Sequence, residues 1–249
     1  MVHRLFIGVL LATLCVVGHA ARSEPGMTAE AALPAPDADG FVALFNGHDL
    51  AGWEGLSDYW SVKDGAISGH QTKEASKQTF LVLSAMTASN FELHFSYRFA
   101  SHEGNSGVQF RSTVLDRQTY RVGGYQADFD ADRKFDGSIY DEAGIAGGRG
   151  VMSNRAEQTI WDSENRRSAE PLGDKSAADL LAFIKAGDWN DAIVLAKGNH
   201  ITYSINGRVM TDLIDESPKA LHSGCIALQL HQGFTMDVQF KDLKIKALN

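Results

Sequence analysis

Between Phe91 and Phe99 the chain reads FELHFSYRF, and no other stretch constrains the fold as tightly. Phe91, Leu93, Phe95, Tyr97 and Phe99 alternate without a break with Glu92, His94, Ser96 and Arg98. Only an extended strand sends every second side chain to the same face, so the segment must be a strand with one buried side. The signal recurs at short spacing. WSVKDGAISG carries Asp64-Gly65 between two strands, the commonest tight-hairpin pair. AIVLAKGNHITYSINGRVM holds the turns Gly198-Asn199 and Asn206-Gly207, which join three strands into a meander. TFLVLS, GCIALQLH and VQFKDLKIKAL add further strands. Short strands separated by turn residues predict an all-β antiparallel sandwich or jelly roll.

One helix interrupts. Ser176 caps AADLLAFIK, Asp179 holds the capping-box position and Gly187 lies past the end, so about three turns are expected. Between Asp128 and Asp174 no periodic pattern persists, which predicts a long, Gly-rich loop. GIAGGRG within it follows no predicted strand and opens no helix, so it is not a phosphate loop.

Residues 1–20, MVHRLFIGVLLATLCVVGHA, have a basic start, an apolar run and small residues before Ala20. They read as a signal sequence cleaved near Ala20, and the expected location is periplasmic or secreted. The apolar run is too short to span a membrane. Residues 21–40 are rich in proline and read as a flexible linker, which leaves 41–249 as the folded domain. Cys225 is then the lone cysteine and allows no internal disulfide. A net charge of −8 without a basic stripe argues against nucleic acid and anionic membranes as partners.

Strand parity exposes a second pattern. GVQFRS sets Gln109 and Arg111 opposite Val108 and Phe110. GYQADFD sets Gln126 and Asp128 opposite Tyr125, Ala127 and Phe129, and IALQLH sets Gln229 and His231 opposite Ile226, Leu228 and Leu230. Amides with one ionisable group on three strands predict the floor of a ligand site, if those strands share a sheet. The plainer reading, a solvated outer face, holds for any one strand alone. His231 is a candidate base, since imidazole titrates near neutrality. Asp128 and Glu142 are candidate acids or metal ligands. The histidines form no HExxH motif, and no GxSxG elbow, P-loop or strand-linked GxGxxG is present.

LFNGHDLAGW, WSVKDGAISG, NSGVQFR, GYQADF, GSIYDE, GDWND and LQLH occur in this order along the chain. Together they resemble the 3-keto-disaccharide hydrolase family, over nearly everything from Phe41 to Leu248. The resemblance implies a concanavalin A-like jelly roll acting on small glycosides oxidised at C3 of the sugar. A C3 ketone acidifies the C2 proton, so its removal lets the enolate expel the C1 substituent, and water adds back for net hydrolysis. Such chemistry needs a base, a donor or cation at the C3 oxygen and an acid for the leaving oxygen. His231 is expected as base, Arg111 or a bound divalent cation as oxyanion stabiliser, and Glu142 or Asp128 as acid. Asp128, Glu142 and His231 are alternatively the ligands of a divalent metal. Asn105, Gln109, Gln126 and Gln229 are expected to hold sugar hydroxyls, with Tyr140 and Trp189 as stacking surfaces. The rival is a non-catalytic, lectin-like carbohydrate-binding module with the same polar floor and no base.

Overall fold

The computed structural model describes residues 33–249. The expected signal sequence and residues 21–32 of the expected linker lie outside the described residues. The strands in chain order begin with β1 (Val42–Ala43), β2 (Trp53–Glu54), β3 (Trp60–Lys63), β4 (Ala66–Gln71), β5 (Thr79–Leu83) and β6 (Phe91–Phe99). There follow β7 (Asn105–Asp116), β8 (Arg121–Asp130), β9 (Ser138–Glu142), β10 (Val151–Ser153), β11 (Glu157–Trp161) and β12 (Arg167–Pro171). Helix α1 (Ala177–Leu181) precedes β13 (Asn190–Lys197), β14 (His200–Ile205), β15 (Arg208–Asp215), β16 (Cys225–Leu230) and β17 (Met236–Ala247).

One sheet runs β12-β11-β15-β14-β13-β6-β17-β4-β3, with β1 added beside β17; the other runs β10-β9-β8-β7-β16-β5-β2. The alternating residues of β6 meet those of β8 in the single large core between the sheets. Tyr97 stacks on Phe129 with ring centroids 3.9 Å apart, and Phe95, Phe99 and Phe240 pack around the same ring. Each such buried aromatic contributes about 1.5–3 kcal/mol of transfer free energy. The β-sandwich expected from alternation is therefore the fold. The hairpins at Asp64-Gly65 and Asn206-Gly207 form with positive φ at all four residues.

Three expectations need correction. The stretch from Asp128 to Asp174 is not one long loop, because it contains β9, β10, β11 and β12. These strands have three to five residues. They are too short for a periodic signal, and β12 is an edge strand exposed throughout. GIAGGRG connects β9 to β10. Its Ala146 and Arg149 N–H groups donate to the two Asp141 carboxylate oxygens, at 2.7 and 2.9 Å. Arg149 then makes a buried fork to Asp215 of β15, 3.0 and 2.8 Å, so this connection is pinned to the opposite sheet.

The helix is shorter than expected. Ser176 and Asp179 form the predicted capping box, but α1 ends at Leu181. Tighter turns then carry Ile184 into the core, and Asn190 accepts from the Lys185 N–H at 2.8 Å. The end of the expected linker is also structured. Asp37 accepts from the N–H groups of Asp39 and Phe41, and Leu33 packs against the core.

Candidate functional site

Register decides which side chains share the outer face of the β10–β2 sheet. β7 and β8 pair Asn105 with Asp130, Gly107 with Asp128 and Gln109 with Gln126. β8 and β9 pair Gln126 with Tyr140, Asp128 with Ser138 and Gly124 with Glu142. Ala227 of β16 lies opposite Gln109, which sends Gln229 to the same side. Residues directly opposite share a face. The expected polar floor is thus real across β9, β8, β7 and β16.

A hollow of about 440 Å³ opens on this face, within the usual size range of small-molecule sites. Asn105, Gln126, Asp128, Tyr140, Glu142 and His231 line it, as the sequence reading expected of them. Gln78, Arg121, Phe135, Ala143 and Gln232 line it too, and that reading missed them. Only the position of Arg121, just after the turn that ends the NSGVQFR strand, could have pointed to it. The β7–β8 hairpin curls over β5, with the Phe80 N–H donating to Tyr120 O at 3.1 Å and Thr79 Oγ1 to Thr119 O at 2.8 Å. That fold-over brings the exposed Arg121 side chain to the lip of the hollow.

His231 follows the last residue of β16, and its Nδ1 lies 2.8 Å from the Gln232 carbonyl. A carbonyl oxygen can only accept, so Nδ1 carries the proton and the neutral ring keeps its lone pair on Nε2. The two oxygens of Glu142 accept from Gln78 Nε2 at 3.1 Å and Gln229 Nε2 at 3.2 Å. Burial raises the Glu142 carboxyl, while Gln78, His231, Arg121 and Gln229 all pull it down. Asp128 differs. Burial pushes it well above the carboxylate range, Gln126 alone opposes this, and Asp130, Asp136 and Glu142 add to the rise. Burial thus favours the protonated carboxyl at both residues, and more strongly at Asp128, where fewer groups oppose it.

Other expectations fail for identifiable reasons. Arg111 does not reach the hollow. The β7–β8 register slips between Phe110 and Thr113, and Arg111 sits in this bulge with φ of 49°. Parity is lost there. The guanidinium turns to the sheet end, where Nε donates to Ser89 O at 2.8 Å and Nη1 to Gly198 O and Leu221 O at 2.8 and 3.1 Å. Trp189 immediately precedes β13 and packs on the other sheet, between the cations of Arg98 and Lys241 at 4.7 and 4.6 Å. Gln109 and Gln229 stand on the right face but are fully buried beneath the hollow, so they support its lining and do not touch a ligand. Among the described residues no three His, Cys, Asp or Glu side chains, Asp128, Glu142 and His231 included, converge as a set of metal ligands.

The protein is thus of the β-sandwich class, with a polar hollow on one outer face. Within it, this chain belongs to the family of the 3-keto-alpha-glucoside-1,2-lyase-like domain, whose pattern matches residues 40–246. A 3-keto-disaccharide hydrolase of Bacteroides thetaiotaomicron is 25% identical over an alignment that covers 86% of this chain and 80% of that protein. In fold, the chain is similar to a Parabacteroides distasonis protein provisionally described as a glycosyl hydrolase (TM-score 0.54, 19% identity, 85% of this chain and 95% of that one). It is also similar to a carbohydrate-binding module from Bacillus subtilis (TM-score 0.52, 15% identity, 79% and 96%). Among the described residues no helix is long and apolar enough to cross a membrane.

Proposed function

We propose that this protein cleaves 3-keto-glycosides by removing the C2 proton and expelling the C1 substituent. One observation carries the reading in a chain of this family: a single hollow brings together an imidazole with a free Nε2, a buried carboxyl whose protonated form burial favours, and an exposed guanidinium.

His231 Nε2 takes the C2 proton, and the C–H electron pair becomes the C2–C3 double bond of an enolate. The negative charge goes to the C3 oxygen. Arg121 takes the part expected of Arg111 and donates there; one such donor is worth about 10²–10³-fold. Glu142, close enough to be influenced by His231, stabilises the imidazolium that forms. The enolate electrons then return, the C1–O bond breaks, and Asp128 gives its proton to the leaving oxygen. The product is a 1,2-unsaturated 3-keto sugar. Water adding at C1 gives the free 3-keto sugar and completes a hydrolysis. Asn105 and Tyr140 are left to hold ring hydroxyls. Cleavage of the leader near Ala20 and export belong to the same proposal.

The test incubates the protein in D₂O with a panel of 3-keto-glycosides and with the unoxidised glycosides. The expected result is release of the C1 substituent from keto substrates only, with deuterium entering at C2. Binding of unoxidised glycans with no turnover of any keto-sugar overturns the reading and favours a lectin-like module.

A further inference from the structure

Four side chains in and beneath the floor of the hollow form a one-way hydrogen-bond chain. Ser112 Oγ shares its one proton between Gln109 Oε1 at 2.8 Å and the Phe110 carbonyl at 2.9 Å; Gln109 Nε2 donates to Gln126 Oε1 at 2.5 Å, and Gln126 Nε2 to Asp128 Oδ1 at 3.1 Å. The sense follows from the chemistry. With the Asp128 proton on Oδ2, Oδ1 can only accept from Gln126; this fixes that amide, whose oxygen then faces Gln109 and fixes the second amide in turn. Gln109, Ser112 and Gln126 are at most 2% exposed. The chain does not close on itself. It ends on Asp128, a residue that lines the hollow and whose Oδ2 takes no hydrogen bond from the described residues.

The backbone is shaped to fit. A Cβ at Gly107 would lie 2.4 Å from Gln126 Cγ, so only glycine leaves room for the amide to lie across β7. An apolar pair would fill buried, directly opposed positions at less desolvation cost. Two amides arranged to donate toward one carboxyl call for a role at that carboxyl.

We infer that Gln109 and Gln126 position Asp128, fixing its Oδ1 so that Oδ2 presents the proton to the leaving oxygen. The inference rests on the proposed elimination. Gln109 never touches the hollow, so it is a positioning residue acting through Gln126.

The leaving group supplies the readout. An alkoxide needs its proton as the C1–O bond breaks, whereas 4-nitrophenolate departs without one. In Gln109→Leu, kcat on methyl 3-keto-glucoside is expected to fall roughly ten- to a hundredfold, a part of the usual contribution of a general acid. On the 4-nitrophenyl 3-keto-glucoside it should change less than about threefold, with KM unaltered on both. Ser112→Ala, a milder loss at the far end of the chain, should show the same selectivity at smaller size and covers the case in which Gln109→Leu does not fold. Equal losses on both substrates, or none on either, would sink the inference. Failure of the unaltered protein to turn over either compound would instead remove the elimination reading beneath it.

Discussion

The two outer faces of the sandwich are built from the same alternation and end up as different surfaces. Outside β6 and its neighbours most polar positions are charged or chargeable: Glu92 pairs with His94 and His70 with Asp237, while Arg98 donates to Gln239, which is buried there with Ser96. His70 lies 2.7 Å from Asp237 with both side chains about half exposed, 57% and 46%. Outside β7, β8 and β9 the corresponding positions are Gln109, Gln126, Asp128 and Glu142, all buried. The difference lies in the kind of polar group. Carboxamides can satisfy one another without net charge, so they tolerate exclusion from water where Lys–Glu pairs would pay a heavy desolvation penalty. A face of amides in alternation with apolar residues is thus a sign of a polar surface covered by something, here the walls of a hollow.

The comparison can be broken most directly at His231. His231→Ala should lower turnover of keto-glycosides by about 10²–10⁴-fold and abolish deuterium entry at C2, with the melting temperature nearly unchanged. A wild-type-like rate would return this face to the status of its opposite number. The two arginines come next. Arg111→Ala strips three backbone carbonyls of their donor and should cost roughly 3 kcal/mol or more of stability in denaturant titration, while each folded molecule keeps its activity. Arg121→Ala should do the reverse. Reversed outcomes would restore Arg111 to the mechanism.

A third effect is smaller at any given pH. Burial pushes the Asp136 carboxyl, which accepts from Tyr97 Oη at 2.9 Å, up to about 7. The unfolded chain ionises this group near pH 4 and the folded chain only near 7, so the native state binds the extra proton between them. Stability should therefore fall as pH rises from about 4 to 7, and level off above. Asp136→Asn should flatten that slope in melting curves across the range; an unchanged slope would reassign it to Asp128 and Asp130, which are raised in the same direction. Least of all, His70→Ala on the charged face should shift stability by less than about 0.5 kcal/mol and leave turnover alone.

The fold and half the site were legible for the same reason. Period-two alternation survives in long strands such as β6, β8 and β16, and parity alone assigned Gln126, Asp128 and Gln229 to one face. Parity misled at Arg111, where a bulge with positive φ inserts an extra residue that no composition rule announces. It was silent for β9 to β12, whose strands are too short to carry a period. Gln78 and Gln232 arrive at strand ends that no local pattern marks, and Arg121 comes in with a folded-over hairpin whose turn is its only signal. Trp189 was misplaced because an aromatic beside a strand carries no label for which sheet it will join.

Position 107 sets a limit on divergence. A lone methyl there would overlap Gln126, and the displaced amide would leave the acid below the hollow free to rotate. Chains that share this scaffold but carry alanine at the matching site should depend on aglycones that depart unaided. One methyl group at that position is the difference between a carboxyl held in place by its amide and one left free to turn.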